Sequence, residues 1–402
     1  MSATGPDRRV RVAIVGAGPA GSLLSLLLHR AGVSNVVVER QSRAHVLQRI
    51  RAGVLEWSSV EVLHDAGVAD TMMRDGRPHD GAVICWAGRD LHLDIAARTG
   101  RRFMAYGQSP LQADLYAALD LIGGTIVDEA AEVELHDQTT DRPWLTFRRG
   151  AGVERIDADV IVGCDGYHGV ARRSMPAAQL DVVEKEYPFG WVGVLSETPP
   201  LPELVYANSP RGFALASQRN AMLSRYYVQC ALTDTVDDWS DDRFWHELLA
   251  RFPAHIAEQI VTGPSIEKSI TPLRSFVASP LRHGSLFLAG DAAHIVPPTG
   301  AKGLNLAISD VHLLSSALIA RFVHGDDTWL DRYSDVALRR IWRSVRFSWW
   351  MTMLLHRLPD QSEFDQCARE AELDYLAESA HAQASFCEQY AGMPFEPFGV
   401  AG

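Results

Sequence analysis

The fold class predicted by the sequence is α/β, with a βαβ opening, an inserted and mostly antiparallel β-sheet, and a helical C-terminal region. Three observations predict it. A Val/Ile-rich run at residues 10–15 leads directly into Gly16-Ala17-Gly18-Pro19-Ala20-Gly21 and then into a leucine-rich stretch. Between about residues 180 and 280 the pattern changes to period-two alternation, the spacing of half-buried strands. From Leu304 onward the apolar residues recur at helical spacing almost to the end.

Taken in order, residues 10–15 form a short apolar strand, and residues 22–29 a helix closed by Gly32. Residues 35–39 are a second strand, ending in Glu39. A third buried strand, residues 159–164, ends in Asp165-Gly166, and a fourth, residues 285–289, ends in Gly290-Asp291. Alternation at residues 212–219 and 223–229, with Asn220-Ala221 as the turn between them, predicts a hairpin. At 402 residues the chain exceeds the roughly 250–300 that one core supports. The expected division is a nucleotide-binding lobe at 1–180 completed by about 270–310, a β-sheet lobe at 181–280, and a final helical and interface region at 281–402.

Composition narrows the function. Hydrophobic residues make up 47% and charged residues 22%, as in a folded enzyme. Lys and Arg total 38 against 50 Asp and Glu, so the formal charge of −12 argues against a nucleic-acid partner. An anionic ligand must then be held by local arginines against the overall field. Five cysteines without a C-x-x-C pair speak against a dithiol centre or cysteine zinc site and suit a reducing cytosol, so a cytoplasmic location is expected. Arg8, Arg9 and Arg11 precede an apolar run, but Gly16, Gly18, Pro19 and Gly21 break it, so it reads as strand–turn–helix rather than as a leader. No stretch reaches roughly 18 uninterrupted apolar residues, and no membrane partner is expected. The fifteen histidines show no H-E-x-x-H or comparable spacing, so no metal is expected.

Gly16, Gly18 and Gly21 form G-x-G-x-x-G after a strand and at the start of a helix. Glycines there permit the tight turn and the close approach of backbone to a pyrophosphate at the helix N-terminus. Glu39, at the end of the next strand, suits an adenosine ribose and repels a 2′-phosphate, so the site takes FAD or NAD rather than NADP. Asp291, after a strand and Gly290, has the placement to bond a flavin ribityl chain. The run from Pro297 through Thr299, Gly300 and Lys302 to Asn305 opens a helix whose partial positive charge would face the flavin pyrimidine edge, although a plain Pro/Gly loop has the same composition. There is no second G-x-G-x-x-G, so a nicotinamide donor would visit without a fold of its own.

On the sheet, Ser217 and Arg219 share one strand face, as do Arg225 and Tyr227 on the next strand. If the Asn220 turn makes a hairpin, Ser217, Arg219 and Tyr227 converge into a set suited to a carboxylate. A solvated arginine on a polar sheet face is the alternative reading of the same spacing.

Taken together, these motifs are those of a family. Gly16 to Gly21, Asp165-Gly166 and Gly290-Asp291 resemble the single-component flavoprotein aromatic hydroxylases. Longer stretches resemble, within that class, the 4-hydroxybenzoate 3-monooxygenase family. They are residues 49–56 (RIRAGVLE), 187–191 (YPFGW), 206–208 (YAN), 224–229 (SRYYVQ) and 290–305. The resemblance covers almost the whole chain apart from a short N-terminal extension and the last few residues.

That resemblance implies a Rossmann-like FAD-binding domain carrying an inserted substrate sheet. It assigns Arg51 to the pyrophosphate, Glu39 to the adenosine ribose and Asp291 to the ribityl chain, with Leu304 and Asn305 at the flavin ring. It sets Asp165, Arg49, His168 and Arg274 along the cofactor and nicotinamide path, and Ala20, Gln108 and Lys302 among the cofactor-binding residues. Arg225 would tie the position of the flavin, which swings between an inner and an outer site in this family, to the chemistry. Ser217, Arg219 and Tyr227 would bind a benzoate carboxylate, and Tyr206 the phenol, with Tyr390 behind it and His79 nearer solvent as a proton path. The Pro298 carbonyl would orient the 4-hydroxyl, and Val54, Trp191, Leu204 and Leu215 would wall out water. Core packing is the alternative for the two tyrosines, and a surface histidine for His79. Trp342, Phe347, Trp349 and Trp350 read as core or dimer contact.

The expected activity is hydroxylation of 4-hydroxybenzoate at the 3-position, using NADPH and O2 with the oxygen activated on FAD, by a cytoplasmic homodimer. Residues 40–48 (RQSRAHVLQ) carry Arg43, but His45 stands where NADPH-preferring relatives often have tyrosine, so NADH is the alternative donor. The competing readings are the same chemistry on a related hydroxy- or aminobenzoate, an FAD-dependent dehydrogenase or oxidase without oxygen transfer, and a non-catalytic flavin-binding sensor of an aromatic acid.

Overall fold

The computed structural model describes residues 8–48 and 53–395. Arg49 and Arg51 lie outside the described residues. The opening βαβ unit forms as the pattern requires. Val12–Val15 is buried at every position, Pro19–Arg30 is the helix, and Asn35–Val38 pairs parallel to the first strand from Val12↔Asn35 to Val15↔Val38. Continuous Val/Ile runs suit a parallel sheet covered on both faces. Val160–Gly163 pairs parallel on the other side of Val12–Val15, and Leu286–Leu288 lies parallel beyond it. Ile126–Val127 and Arg282–His283 close the two edges of this six-stranded sheet. Helices Gln108–Leu121 and Gly303–Ile319 both pack on Pro19–Arg30. A meander of Ala131–His136, Trp144–Arg149 and Gly152–Asp157, with Arg8–Arg9 at its edge, forms a separate four-stranded sheet.

The eight-stranded sheet is larger than the lobe expected at 181–280. Its order runs from His294–Ile295 through Ser265–Ser279, Asp181–Ser196, Leu223–Cys230, Ala214–Asn220 and Leu204–Ala207 to Gly81–Trp86 and Arg89–Asp94. The hairpin of Gly81–Trp86 and Arg89–Asp94 thus comes from the N-terminal third, because Gly81–Trp86 pairs parallel with Leu204–Ala207. The two longest strands, Asp181–Ser196 and Ser265–Ser279, bridge the lobes. Phe276, Val277 and Ala278 are buried in the first core, whereas Tyr187, Phe189 and Trp191 are buried in the second. Their ladder skips between Glu186↔Arg274 and Gly190↔Pro272, where Pro188 has no N–H to donate.

The C-terminal helices span both cores. Thr328–Leu355 buries Leu330, Tyr333 and Ile341 against the nucleotide-binding lobe, then Phe347, Met351 and Leu355 against the sheet lobe. Of its aromatic residues, Phe347 is buried and Trp350 packs at the edge of the second core, while Trp342 and Trp349 are each 42% exposed. Glu363–Glu378 begins with a full capping box, Ser362 with Asp365, and Ala380–Ala391 follows it. The segment Gly303–His324 is long and apolar enough to cross a membrane, but it interrupts its apolar run with Asp310 and His312, and 61% of its most apolar window is buried inside the protein.

His356, just past the long helix, locks that helix to the sheet. Its ring stacks on Phe189 (4.7 Å) and Phe213 (4.2 Å). Trp191 Nε1–H donates to His356 Nε2 at 2.7 Å, and Nδ1 donates to the Thr352 carbonyl at 2.9 Å, which defines a neutral tautomer. Burial pushes its pKa from 6.5 down to about 3. The unfolded chain therefore takes up this proton first as pH falls. The stability contributed is complete above about pH 6.5 and is lost as pH drops from there toward 3. Burial shifts His79 in the same direction. We expect the urea midpoint to fall between pH 7 and pH 5, and His356→Gln to be less stable at pH 7 but to lose less over the same interval. An identical pH slope in the variant would refute the assignment.

Candidate active site

The glycine motif is shaped by what surrounds it. Gly16 has φ +102, and a Cβ there would meet the Cys164 carbonyl oxygen at 2.4 Å. A Cβ on Gly21 would meet the Gly16 carbonyl oxygen at 1.9 Å. Gly18, in contrast, faces open space and precedes a helix with Pro19 at its first turn and no side-chain cap. Its first N–H groups are free for an anion. Glu39 braces this loop: Oε2 accepts from Ala17 N and Oε1 from Gln41 N, both at 2.8 Å. Each carboxylate oxygen keeps a second lone pair for a ribose hydroxyl. The Ala17 carbonyl is held in turn by Ser22 Oγ, Gln112 Nε2 and Tyr116 OH. A cradle only glycine can line, an open helix N-terminus and a carboxylate at the next strand end fit the pyrophosphate and adenosine of FAD. Gln108 starts its own helix nearby, after Gly107.

Asp165 is largely occupied by the fold. Oδ2 accepts from Ala171 N at 2.9 Å, while Oδ1 has no partner among the described residues, and burial raises the carboxyl's pKa. His168 is exposed, edge-on to Tyr167 at 4.9 Å. Arg274 pairs with Glu184 (3.2 Å) and Glu186 (3.4 Å) and lies over the Tyr167 ring at 4.7 Å. Arg43 donates to both oxygens of Asp120 at 2.8 Å, and His45 is exposed.

At the other end of the cofactor path, Gly290 adopts φ +63, and Asp291 follows it, half-buried in a 3-10 turn. The helix Gly303–Ile319 begins without a side-chain cap. Leu304 lies half-buried in its first turn. Asn305 turns to the protein: its Oδ1 accepts from Glu56 N (2.9 Å), and its Nδ2 donates to the carbonyls of Val54 (2.9 Å) and Ala301 (2.8 Å). Lys302 is only 3% exposed. Its Nζ donates to Glu56 Oε1 (2.6 Å) and the Tyr390 carbonyl (2.7 Å), and burial lowers its pKa against the opposing pull of Glu56. Glu56 was not singled out from the sequence as a site residue. The strand Val54–Glu56 thus ties the flavin end to the tyrosines.

The hairpin brings the expected carboxylate-binding residues together. Ser217 lies opposite Arg225, and Leu215 opposite Tyr227. Ser217 Oγ donates to the Arg225 carbonyl at 2.8 Å. Arg225 is buried and neutralised, with Glu267 at 2.8 Å and Ser269 Oγ at 2.9 Å. Arg219 differs. It donates to its neighbour's carbonyl, Gln218 O, at 2.9 Å, its Nε has no partner, and among the described residues no carboxylate pairs with it. Burial lowers its pKa, the Tyr227 phenol opposes that, and the Arg225 charge adds to it. It is a half-buried cation in want of an anion.

Tyr206 OH and Tyr390 OH lie 2.6 Å apart, both buried. Burial raises Tyr206 to about 12 and Tyr390 well above its usual value. His79, expected nearer solvent, is only 3% exposed; it pairs in the ladder with Phe103, whose ring meets Tyr390 edge-on at 5.0 Å. Its Nε2 has no partner among the described residues, and burial lowers its pKa, so it is a buried neutral base rather than a surface histidine. Pro298 is exposed, and its carbonyl accepts from Ala301 N at 3.0 Å. Trp191, Leu204, Leu215, Tyr206 and Phe213 form one buried apolar cluster, with Val54 and Tyr227 packed against it.

The comparisons with known proteins agree with this geometry. A family model described as an FAD binding domain matches residues 9–348. The chain is 50% identical over 390 residues to the p-hydroxybenzoate hydroxylase of Acinetobacter baylyi, covering 96% of each protein. It is 27% identical to the 3-amino-4-hydroxybenzoate 2-monooxygenase PtnB3 of Streptomyces platensis, over 83% of this chain and 85% of that one. Among solved structures, the p-nitrophenol 4-monooxygenase PnpA of Pseudomonas putida shares the fold, with a TM-score of 0.78 at 18% identity over 96% of this chain and 99% of that one. A glycine cradle built for a dinucleotide, a hairpin whose Arg219 has no carboxylate partner among the described residues, and near full-length identity of 50% lead to one conclusion: the chain belongs to the p-hydroxybenzoate hydroxylase family of FAD-dependent aromatic monooxygenases.

Proposed function

We propose that this monooxygenase binds 4-hydroxybenzoate and converts it, with NADPH, a proton and O2, to 3,4-dihydroxybenzoate, NADP+ and water. The observation that carries the substrate is Arg219: a half-buried guanidinium without a carboxylate partner among the described residues, beside Ser217 and Tyr227. A benzoate carboxylate supplies the missing charge through a charge-assisted bond. The apolar cluster of Trp191, Leu204 and Leu215 suits the ring and excludes water.

When bound, FAD supplies electron transfer from the nicotinamide and the activation of oxygen. The chain's own part is to hold the ring and move a proton. Tyr206 takes the substrate hydroxyl's proton share, Tyr390 accepts the next bond, and His79 is the base of that path. Removing the proton makes the ring electron-rich at the carbon ortho to the hydroxyl, where an electrophilic oxygen attacks. The high pKa values of both buried tyrosines favour a proton passed along the pair over a standing phenolate. Arg225, buried beside Glu267 and over Tyr227 at 5.3 Å, is proposed to couple ring binding to the flavin's position.

NADPH is the proposed donor. The Arg43–Asp120 pair is the observation that favours NADH, because a guanidinium so engaged is not free for a 2′-phosphate. We also propose a cytoplasmic homodimer. Five free cysteines fit a reducing compartment. Helix Glu363–Glu378 presents Phe364, Cys367, Ala368, Ala371 and Tyr375 on one exposed face, with Phe364 at 79% and Tyr375 at 59% exposure.

FAD-loaded protein is expected to consume NADPH faster when 4-hydroxybenzoate is added, with one 3,4-dihydroxybenzoate per NADPH by mass. Stimulation yielding only peroxide would assign the site to another aromatic acid, such as an aminohydroxybenzoate, and faster turnover with NADH at matched concentration would reverse the donor. Arg219→Ala should weaken 4-hydroxybenzoate binding roughly tenfold to a hundredfold, the loss of a bond to a charged group. Tyr206→Phe should bind the substrate but hydroxylate it about a hundredfold more slowly, releasing peroxide. Unchanged affinity in the first, or intact coupling in the second, removes that residue from its role. In light scattering, Phe364→Glu combined with Tyr375→Glu should convert a dimer to a monomer. A wild-type monomer would dismiss the dimer outright.

A further inference from the structure

Asp310 lies mid-helix in Gly303–Ile319, and its side chain is only 3% exposed. A carboxylate so buried is tolerated only with strong partners. A single oxygen, Oδ2, takes two: the backbone N–H of Gly290 at 2.9 Å and His294 Nε2 at 2.6 Å. Gly290 is in the left-handed region at φ +63, and a Cβ built on it would lie 3.4 Å from the Ala20 Cβ and 3.5 Å from the Ala307 Cβ. The turn is therefore wedged between the helix of the glycine motif and the helix that carries Asp310. His294 adds a third element. Its strand, His294–Ile295, pairs with Phe276 and Val277 of the long bridging strand, and Ala278 N donates to the Ala293 carbonyl. One carboxylate oxygen so joins the flavin-end helix, the turn and the sheet that runs into the substrate lobe.

We infer that Asp310 is a cofactor-positioning residue: by anchoring the Gly290 N–H and His294, it sets the direction in which Asp291 presents its carboxylate to the ribityl chain of FAD. This rests on the proposed role of Asp291. Packing alone does not call for a carboxylate here, since a leucine fills such a helix position without desolvation cost. The acceptor is aimed at the N–H of Gly290, the residue immediately before Asp291, and His294 is held on the far side of the same turn. Removing the acceptor frees the turn to rotate and leaves Gly290 N–H and His294 without their partner, while Asp291 itself is untouched.

The test uses the full chain, stripped of FAD and titrated with FAD by flavin fluorescence, with folding followed by circular dichroism. Asp310→Ala is expected to raise the FAD dissociation constant about tenfold or more, and Asp310→Asn, which keeps an oxygen acceptor, by less. Leu314→Ala, a buried position one turn further along the same helix, controls for stability: it should lower the melting temperature and leave FAD affinity within about twofold. Equal weakening by Leu314→Ala and Asp310→Ala would reduce Asp310 to a structural role and overturn the inference, as would unchanged affinity in Asp310→Ala. If Asp310→Ala does not fold, Asp310→Asn decides, with several-fold weaker FAD binding supporting the inference and wild-type affinity overturning it. If Asp291→Ala binds FAD as tightly as wild type, the reading of Asp291 falls first. That outcome is distinct from failure at Asp310, where Asp291→Ala weakens binding and the Asp310 variants do not.

Discussion

The buried pair of Glu56 and Lys302 is the constraint around which both ends of the site are built. Neither side chain reaches solvent beyond a few per cent, so each buried charge needs a close counter-charge, and the two supply it to each other at 2.6 Å. Lys302 also donates to the Tyr390 carbonyl, and Glu56 receives Arg340 at 3.8 Å while its backbone N–H is held by Asn305. Gly392 passes so close that a Cβ there would meet Glu56 Oε2 at 1.9 Å. Through one carboxylate, the start of the helix at the flavin end, the strand beside the proposed substrate cluster and the C-terminal helix bearing Tyr390 are fixed relative to each other. Loss of Glu56 strands the Lys302 charge in the interior, whereas loss of Lys302 leaves Glu56 with the longer contact to Arg340.

The arginines of the hairpin show how a chain with a net charge of −12 accommodates an anionic substrate. Arg225 and Arg219 lie near each other, Arg225 buried and Arg219 half-buried. Arg225 is neutralised by Glu267, whereas among the described residues Arg219 meets a peptide carbonyl and a phenol but no paired carboxylate. The asymmetry matters more than the count of cations. A paired arginine offers no net attraction to a carboxylate, while an unpaired one in a low-dielectric setting gains from it strongly.

The bridging strands explain why the two lobes cannot be treated as separate bodies. Ser265–Ser279 places Phe276, Val277 and Ala278 in the first core and Leu273 in the second, Asp181–Ser196 pairs along it and buries Tyr187, Phe189 and Trp191 in the second, and the hairpin from Gly81 to Asp94 extends the second sheet from a distant part of the chain. Asp310, His294 and the Gly290 turn join this sheet at the edge where His294–Ile295 pairs with Ser265–Ser279, and His356 clamps the long helix to the same sheet through Trp191.

What the sequence by itself determined are the features set by near neighbours. The βαβ unit, the glycine cradle, Glu39 at its strand end and the hairpin with Ser217, Arg225 and Tyr227 on one face all follow from side-chain period and backbone freedom, which act over a few residues. Tertiary structure alone decided the rest. Lys302 meets Glu56 across 246 positions, and His356 meets Trp191 across 165. The burial of His79 arises only in the folded chain, and the sheet's true extent depends on a parallel pairing between Gly81–Trp86 and Leu204–Ala207. Such contacts leave no local pattern. A buried charge or a strand's partner is specified only when distant segments are brought together, and the desolvation that makes these groups matter exists only in the packed interior.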